Sequence, residues 1–501
     1  MSSLLDTVLQ RVMEQPDAIA LKSPDESFTY EELMTAVEVL AERLRESGLQ
    51  RLGLCGDNSP GWIIADLACR LAELVCVPVP GFFSEKQVQH LCDSAGLQGL
   101  LFGRPADLPS GDIESVPIWG PVCLRTLHTT GVEGHVPAGT AKITFTSGST
   151  GTPRGVCLSG EHQDATVRAL AERVGSLGIR RHLCVLPLAT LLENVAGVYL
   201  PLSLGATVHV WPVSQLGFTG SSQLDVPKLL QALHACQPDS LILVPELATL
   251  LVTAAEQGAL SGLRFRFLAV GGGKVSTALL DRADAQGLPL YEGYGLSECG
   301  SVVALNGPDA NRPGCVGRPL SHVEVSVSNL GEILVRGNTH LGYLGDERRP
   351  REPLATGDLG QFDDDGFLVV NGRSKNLLIT SYGRNINPEW LESELVQSVG
   401  ARQALVFGDG EPRPRALLVI ADSRDSDAVA RAVAELNRTL PDYARLSQLY
   451  IRREPLSPHQ GHVTPNGRLI RPRLMADLGE LLAAAEQSDP AAITLSEARC
   501  G

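Results

Sequence analysis

Between residues 28 and 48, in FTYEELMTAVEVLAERLRESG, apolar side chains recur at Leu33, Val37, Leu40 and Leu44 with polar residues between them. That spacing predicts an amphipathic helix, with Thr29 as its N-cap and Gly48 as its stop. Short β-prone runs then alternate with helical ones: RLGLCGD, IIADLACRLAEL and VCVPVP come first, and HLCVLPL, GATVHVWP, SLILVP and FRFLAVGGG follow. Alternating strands and helices predict βαβ units and a parallel sheet. Several of these strands end on proline or glycine, where open α/β sheets carry their ligand-facing loops.

From about residue 320 the texture changes to VEVSVSNLGEILVRG and GFLVVNGR, which predict strands joined by turns at Asp365-Gly366 and Asn371-Gly372. Past residue 375, NPEWLESELVQS, QALVFGDG, RALLVIAD and DAVARAVAELNRTL alternate helix and strand over a length sufficient for a compact α+β lobe. The expected architecture is α/β. A large N-terminal domain over 1–374 combines parallel sheets, helices and a small β-barrel-like part; a smaller α+β domain occupies 375–485, and 486–501 reads as a flexible tail. GRSKN, at 372–376, marks the boundary.

At 501 residues the chain exceeds what one core usually organises. A composition of 43% hydrophobic and 20% charged residues is that of a folded globular protein. The net charge of −15 argues against a general nucleic-acid or anionic-membrane binder and leaves room only for a local basic pocket. Asp6 and Arg11 interrupt the apolar stripe of MSSLLDTVLQRVMEQP, unlike a signal peptide, and SLILVPELATLLV is too short and polar to span a bilayer. Eleven cysteines without a Cys-x-x-Cys pair suit reduced thiols. A cytoplasmic location is expected.

The densest chemistry lies in ITFTSGSTGTPRGVCLS, residues 143–159. Glycines let a backbone aim its N–H groups at one point and hydroxyls add donors, so Thr146, Ser147, Gly148, Ser149, Thr150 and Gly151 after a strand suit a phosphate cradle, with Arg154 adding a permanent charge. The order differs from the Gly-x-x-x-x-Gly-Lys-Ser/Thr nucleotide loop.

TFTSGSTGTPRG resembles the signature loop of the adenylate-forming enzymes, which include acyl-CoA synthetases, luciferases and adenylation domains of peptide synthetases. LPLATLLEN (186–194), AVGGG (269–273), YEGYGLSE (291–298), TGDLG (356–360), GRSKN and TPNGRLIR (464–471) resemble that family's other motifs in the same order. The wording is similar to that of fatty acyl-CoA ligases. The resemblance implies activation of a carboxylic acid by ATP to an acyl-adenylate, with release of pyrophosphate and then transfer to a thiol. It implies ATP and Mg²⁺, with CoA or a carrier-protein phosphopantetheine as acceptor, and it makes the C-terminal domain a mobile lid.

Carried over residue by residue, the 146–151 loop and Arg154 handle the β- and γ-phosphates. Glu298 binds Mg²⁺, a hard oxygen ligand for a hard cation, and Ser297 contacts the α-phosphate where the family more often has Thr. Tyr294 stacks by the adenine beside Gly271, Gly272, Gly273 and Gly295. Asp358 accepts from the ribose hydroxyls, Arg373 holds a ribose or phosphate oxygen, and Lys375 marks the pivot of the lobe. Gly383 edges the thiol tunnel.

This sequence departs from the pattern at three positions. Arg468 stands where the catalytic loop normally has Lys, keeping the charge but not the ammonium point contact; it reads either as a working substitute or as the mark of a catalytically weakened acyl-nucleotide binder. Thr190 stands where an aromatic residue or His is frequent, and Arg154 replaces Lys. Leu191, Leu192, Val195 and Gly293 are expected to line the acyl site, with no Asp to hold an α-ammonium group, so an apolar acid, medium- or long-chain, is the expected substrate. A possible partner is an acyl carrier protein.

Overall fold

A strand covered on both faces must be apolar along its length. Ser240–Leu243, buried at every position, lies inside a nine-stranded sheet. Arg181–Cys184 and Phe267–Val270 flank it in parallel. Parallel pairing continues outward to Thr207–Val210 and Ile19–Lys22 on one side and to Leu290–Tyr294 on the other. A second, eight-stranded sheet has Gly99–Phe102, Arg51–Cys55, Val75–Pro78 and Lys142–Ser147 as its parallel centre. The computed structural model describes residues 3–109, 115–127, 134–147, 153–219, 223–348, 350–382, 384–464, 469–488 and 493–494.

The expected helix forms over Tyr30–Glu46. Thr29 Oγ1 accepts from the Glu32 N–H at 3.1 Å and the Glu32 carboxylate accepts from the Thr29 N–H at 2.8 Å, a reciprocal cap that satisfies two otherwise orphan donors. Leu33, Val37, Leu40 and Leu44 are fully buried, in a core shared with the helices and strands of both sheets.

The β-rich portion is a four-stranded antiparallel sheet of Val323–Val327, Glu332–Gly337, Leu354–Phe362 and Leu368–Arg373. Asp365-Gly366 makes its last turn, with Gly366 at φ 80°. Asn371-Gly372 does not form a turn: both residues lie inside Leu368–Arg373, where the pairing register shifts. The local chemistry that suits a turn is absorbed by an irregularity in the strand, with Gly372 at φ 122° against the Asn387 side chain.

The C-terminal lobe has its own cores and a sheet of Gln403–Phe407, Arg415–Val419, Gln448–Arg452 and Ile493–Thr494. The segment read as a tail is therefore partly structured. Its helix runs on to Ser488, and Ile493–Thr494 pairs antiparallel with Gln448–Leu449 because that edge offers unpaired backbone groups. Gln397 links lobe and body, donating to Thr249 Oγ1 at 2.7 Å and accepting from Arg282 at 3.2 Å.

A buried polar cluster joins the two large sheets. Lys142, 3% exposed, opens the strand that leads into the 148–152 loop. Its ammonium donates to Asp66 Oδ2 at 3.0 Å, Asn194 Oδ1 at 2.5 Å and Tyr199 Oη at 2.9 Å. Asp66 Oδ2 also accepts from Tyr199 at 2.5 Å and from Asn194 at 2.9 Å. Burial pushes the Asp66 carboxyl up, but Lys142 and these hydrogen bonds outweigh it and hold it below its ordinary value. Asp66 lies on the helix Pro60–Leu71, whereas Asn194 and Tyr199 lie on the π-helical segment Glu193–Tyr199.

Glu292 is a buried carboxyl of another kind. It is 3% exposed and accepts from the Gly314 N–H at 2.7 Å, tying the loop after the strand Ala304–Leu305 to the strand Leu290–Tyr294. Burial pushes it from 4.5 up to about 7, partly offset by that N–H and by Lys274.

Lys142→Met leaves Asp66 buried without its cation and is expected to lower stability by about 3–5 kcal/mol in equilibrium denaturation. A loss below about 1 kcal/mol would show that the cluster is dispensable. The neutral Glu292 carboxyl stabilises the fold fully below its unfolded value of 4.5 and ceases to do so as the pH rises through about 7. Glu292→Gln is therefore expected to gain about 1–3 kcal/mol relative to the parent protein as the pH rises through that window. A difference independent of pH would refute the assignment.

Candidate functional site

The strand Lys142–Ser147 and its antiparallel partner Pro153–Leu158 carry the two ends of the hydroxyl- and glycine-rich loop. Gly148, Ser149, Thr150 and Gly151 lie outside the described residues, as does the side chain of Ser147. Thr146 is half-buried, with its hydroxyl 3.5 Å from the Arg154 carbonyl oxygen. The Arg154 guanidinium sits 3.4 Å from the centre of the Tyr343 ring and 3.7 Å from Asp346 Oδ2. Tyr343 reaches this place because Gly342–Tyr343 pairs with Val156 and Cys157.

Tyr343 connects the loop to the next predicted group. Its hydroxyl donates to Glu298 Oε1 at 3.1 Å, and the His340 N–H donates to the Glu298 carbonyl at 2.7 Å. Burial, reinforced by the Glu298 charge, pushes the Tyr343 hydroxyl up to about 12, so it stays a donor. Ser297 and Glu298 are half-buried in a single helical turn, Ser297–Cys299, that packs against Pro153–Leu158.

Four residues earlier, at the end of Leu290–Tyr294, the Tyr294 hydroxyl donates to Asp358 Oδ2 at 2.7 Å. Arg373 Nε meets the other oxygen, Oδ1, at 2.9 Å, and the two residues are register partners on adjacent strands. Asp358 is 5% exposed, which makes its carboxylate a fixed acceptor at the base of the crevice. Burial first, and then Asp358, push the Tyr294 hydroxyl well above its ordinary value.

Close backbone approach explains Gly295. A Cβ on Gly295 would stand 1.7 Å from the Ser301 carbonyl oxygen, and one on Gly271 would be 3.4 Å from that of Gly293. Gly271, Gly272 and Gly273 thus follow the strand Phe267–Val270 beside the end of Leu290–Tyr294, with Gly272 at φ 80°. Contacts thus join Thr146, Arg154, Tyr343 and Glu298 in one group and Tyr294, Asp358 and Arg373 in another, with the segment 294–298 linking the two and Gly271 beside Gly293.

The residues expected to face the acyl group lie on the segment after the strand Arg181–Cys184. Leu191 and Val195 are buried, Leu192 and Thr190 half-buried, and the Thr190 hydroxyl is used on the Pro187 carbonyl at 2.6 Å. The polar side chains of the same segment face elsewhere, Asn194 toward Asp66 and Glu193 toward His182.

Lys375 is exposed in the turn Ser374–Asn376. Gly383 and Arg468 lie outside the described residues. The stems of the loop that carries Arg468 are described: Val463 and Leu469 form a bridge, and His462 pairs with Asp477 at 3.0 Å. Arg471 forms a buried ion pair with Glu392 and donates to the Val406 carbonyl at 2.7 Å. Burial pushes Glu392 up to about 7 despite Arg471.

Sequence reasoning missed Tyr343, Asp346, Glu292 and the Arg471–Glu392 pair. Nothing in LGYLGD signals that a two-residue strand places Tyr343 between Arg154 and Glu298. For Glu292, a charged residue two positions from Leu290, on the same buried face of the strand, was the available signal.

Residues 8–344 match the family described as AMP-binding enzyme, and residues 375–488 match the AMP-binding enzyme C-terminal domain. A long-chain-fatty-acid–CoA ligase, FadD15, of Mycobacterium bovis is 27% identical over 68% of this chain, and the match spans 65% of that relative's length. A fatty acid–[acyl-carrier-protein] ligase, MmaC, of Mycobacterium marinum is 26% identical over 95% of this chain and 98% of its own. The 2-succinylbenzoate–CoA ligase of Bacillus pumilus is 26% identical over 82% and 87%. In fold, the chain is similar to the o-succinylbenzoate CoA synthetase (MenE) of Bacillus subtilis in complex with its acyl-adenylate intermediate, with a TM-score of 0.74, 22% identity and coverage of 93% and 97%. With a body and a lobe that each match, and a crevice drawn from the strands where the shared motifs fall, this chain belongs to the AMP-binding enzymes of the adenylate-forming superfamily.

Proposed function

We propose that this enzyme activates an apolar, medium- or long-chain carboxylic acid with ATP and passes the acyl group to the thiol of CoA. The observation that carries the reading is the meeting of Arg154, Tyr343, Glu298, Tyr294, Asp358 and Arg373 in one crevice, linked through the short segment 294–298. In the first step a carboxylate oxygen attacks the α-phosphorus, the bond to pyrophosphate breaks, and acyl-AMP forms. In the second, sulfur attacks the acyl carbonyl and AMP leaves.

The residues divide this work by charge. Arg154 and the N–H groups at its loop neutralise oxygens of the departing diphosphate, and the Tyr343 ring under the guanidinium restricts where that charge sits. Among the described residues only one oxygen of Glu298 accepts a hydrogen bond, leaving the other for a hard cation, so the site fits Mg²⁺. When bound, that ion supplies positive charge beside the phosphate oxygens. Asp358, held by Tyr294 and Arg373, is preset as an acceptor for ribose hydroxyls. The acyl face at Leu191, Leu192 and Val195 is aliphatic, and the nearby ammonium of Lys142 is already committed to Asp66, which favours an acid without a second charge.

A second reading, transfer to a carrier-protein phosphopantetheine, is supported by the MmaC match along nearly the whole of both chains. Acid-dependent exchange of pyrophosphate into ATP, run over medium- and long-chain fatty acids and 2-succinylbenzoate, is expected to be strongest with the fatty acids. Product formation with CoA against a phosphopantetheinylated carrier separates the acceptors. Exchange with 2-succinylbenzoate alone removes the fatty-acid assignment, and none with any acid removes the activity. Asp358→Asn should raise the KM for ATP about 10–100-fold, the size expected when a charged hydrogen-bond acceptor is lost. Arg468→Lys should leave the exchange rate within about tenfold if Arg468 is a working substitute.

A further inference from the structure

Glu193 turns away from the acyl face into the core, toward the strand Arg181–Cys184. There His182 and Cys184, two positions apart, project from the same face of the strand. Glu193 is 0% exposed and His182 1%. One ligand atom from each of the three side chains lies within 4.8 Å of the other two, with His182 Nε2 3.6 Å from Glu193 Oε1. Among the described residues no hydrogen bond within 3.5 Å reaches either Glu193 oxygen or His182 Nε2; His182, the Cys184 thiol and the Val185 N–H face the carboxyl at longer range. The Cys184 thiol contacts the Gly197 carbonyl oxygen at 3.6 Å and faces the Glu193 carboxyl. Buried polar groups met only by long contacts are costly, and one bound ion would satisfy all three side chains at once.

Two further features fit a bound ion. His182 Nδ1 is engaged by Ser240 Oγ at 2.9 Å, the outer hydrogen bond that orients a ligating imidazole and leaves Nε2 facing inward. Gly197 keeps the convergence point clear: a Cβ there would lie 2.7 Å from Glu193 Oε1 and 2.9 Å from His182 Nε2. The segment that carries Glu193 and Gly197 is π-helical, a geometry concentrated at functional sites.

We propose that His182, Cys184 and Glu193 bind a zinc-class divalent cation that fastens the helix under the acyl site to the central sheet. An imidazole, a thiolate and a carboxylate suit zinc rather than magnesium. Binding releases the thiol and carboxyl protons to solvent, and the two resulting negative charges cancel those of the ion, so the loaded site is neutral, as a site this deep requires. Tetrahedral ligand atoms about 2.0–2.3 Å from zinc stand roughly 3.3–3.8 Å apart, so the observed cluster needs only a small contraction.

Full-length protein expressed with zinc, purified without a metal-affinity step and dialysed against a chelator, should retain about one zinc ion per chain by mass spectrometry. Protein expressed with cobalt instead should show thiolate-to-cobalt charge transfer and tetrahedral visible bands. Glu193→Gln, which is isosteric, and Cys184→Ala should each lose at least about nine-tenths of the metal, whereas Cys236→Ala, a buried cysteine on the helix Val226–Cys236, should keep it. Parent protein free of zinc and without the cobalt bands overturns the proposal. Zinc retained equally by the parent and both site variants overturns it as well. These readouts do not depend on which acid, if any, the enzyme activates.

Discussion

The ammonium of Lys142 is the constraint around which the body is arranged. A charge 3% exposed between two sheets is tolerable only if its donors are all met, and meeting them fixes three elements relative to one another. Asp66 brings the helix of the second sheet, while Asn194 and Tyr199 bring the helical segment on the first. Lys142 itself begins the strand that ends at the 148–152 loop. The strand that leads toward the hydroxyl- and glycine-rich loop and the residues 190–195, expected to face the acyl group, are therefore set from one buried point. Their relative position decides whether a carboxylate could lie in line with a phosphate held by that loop, and an error of an ångström there is costly.

This division of labour shows why the polar residues of 193–199 are where they are. An apolar acyl surface on a helix needs its other faces filled, and a short segment between two sheets has no solvent face on which to put polar side chains. Asn194 and Tyr199 settle in the Lys142 cluster, and Glu193 settles against His182 and Cys184. Both solutions leave Leu191, Leu192 and Val195 free of polar neighbours from their own segment.

Local pattern carried much of the fold. The Thr29 cap, the Leu33–Leu44 stripe and the alternating runs that became the two sheets were legible because each depends on near neighbours in the chain. The site was legible where a motif compresses chemistry into a few residues, as at Tyr294 to Glu298 and Asp358. Tyr343, Glu292 and the Lys142 cluster were not, because their meaning comes from partners brought near only by strand pairing: Tyr343 lies far along the chain from Arg154, and Lys142 from Asp66. Asn371-Gly372 was misread for the converse reason. Its turn chemistry is real, but sheet pairing on both sides of it kept the chain in a strand.

The lobe carries its own version of the Lys142 device. Arg471, buried against Glu392 and the Val406 carbonyl, fixes the stem of the loop at 464–469 to the lobe's sheet and to the helix Pro388–Glu394. The Val463–Leu469 bridge and the His462–Asp477 pair close the same stem from within the lobe. Every one of these anchors is internal to the lobe, so a rotation about the exposed turn at Ser374–Asn376 would carry these stems with it. The body side of the proposed reaction has the opposite character, since Asp358, Tyr294 and Arg373 already hold one another. In the proposed two-step reaction the nucleotide pocket can then stay fixed while the lobe moves against it, and part of the cost of each exchange falls on the contacts through Gln397 rather than on either set of reacting groups.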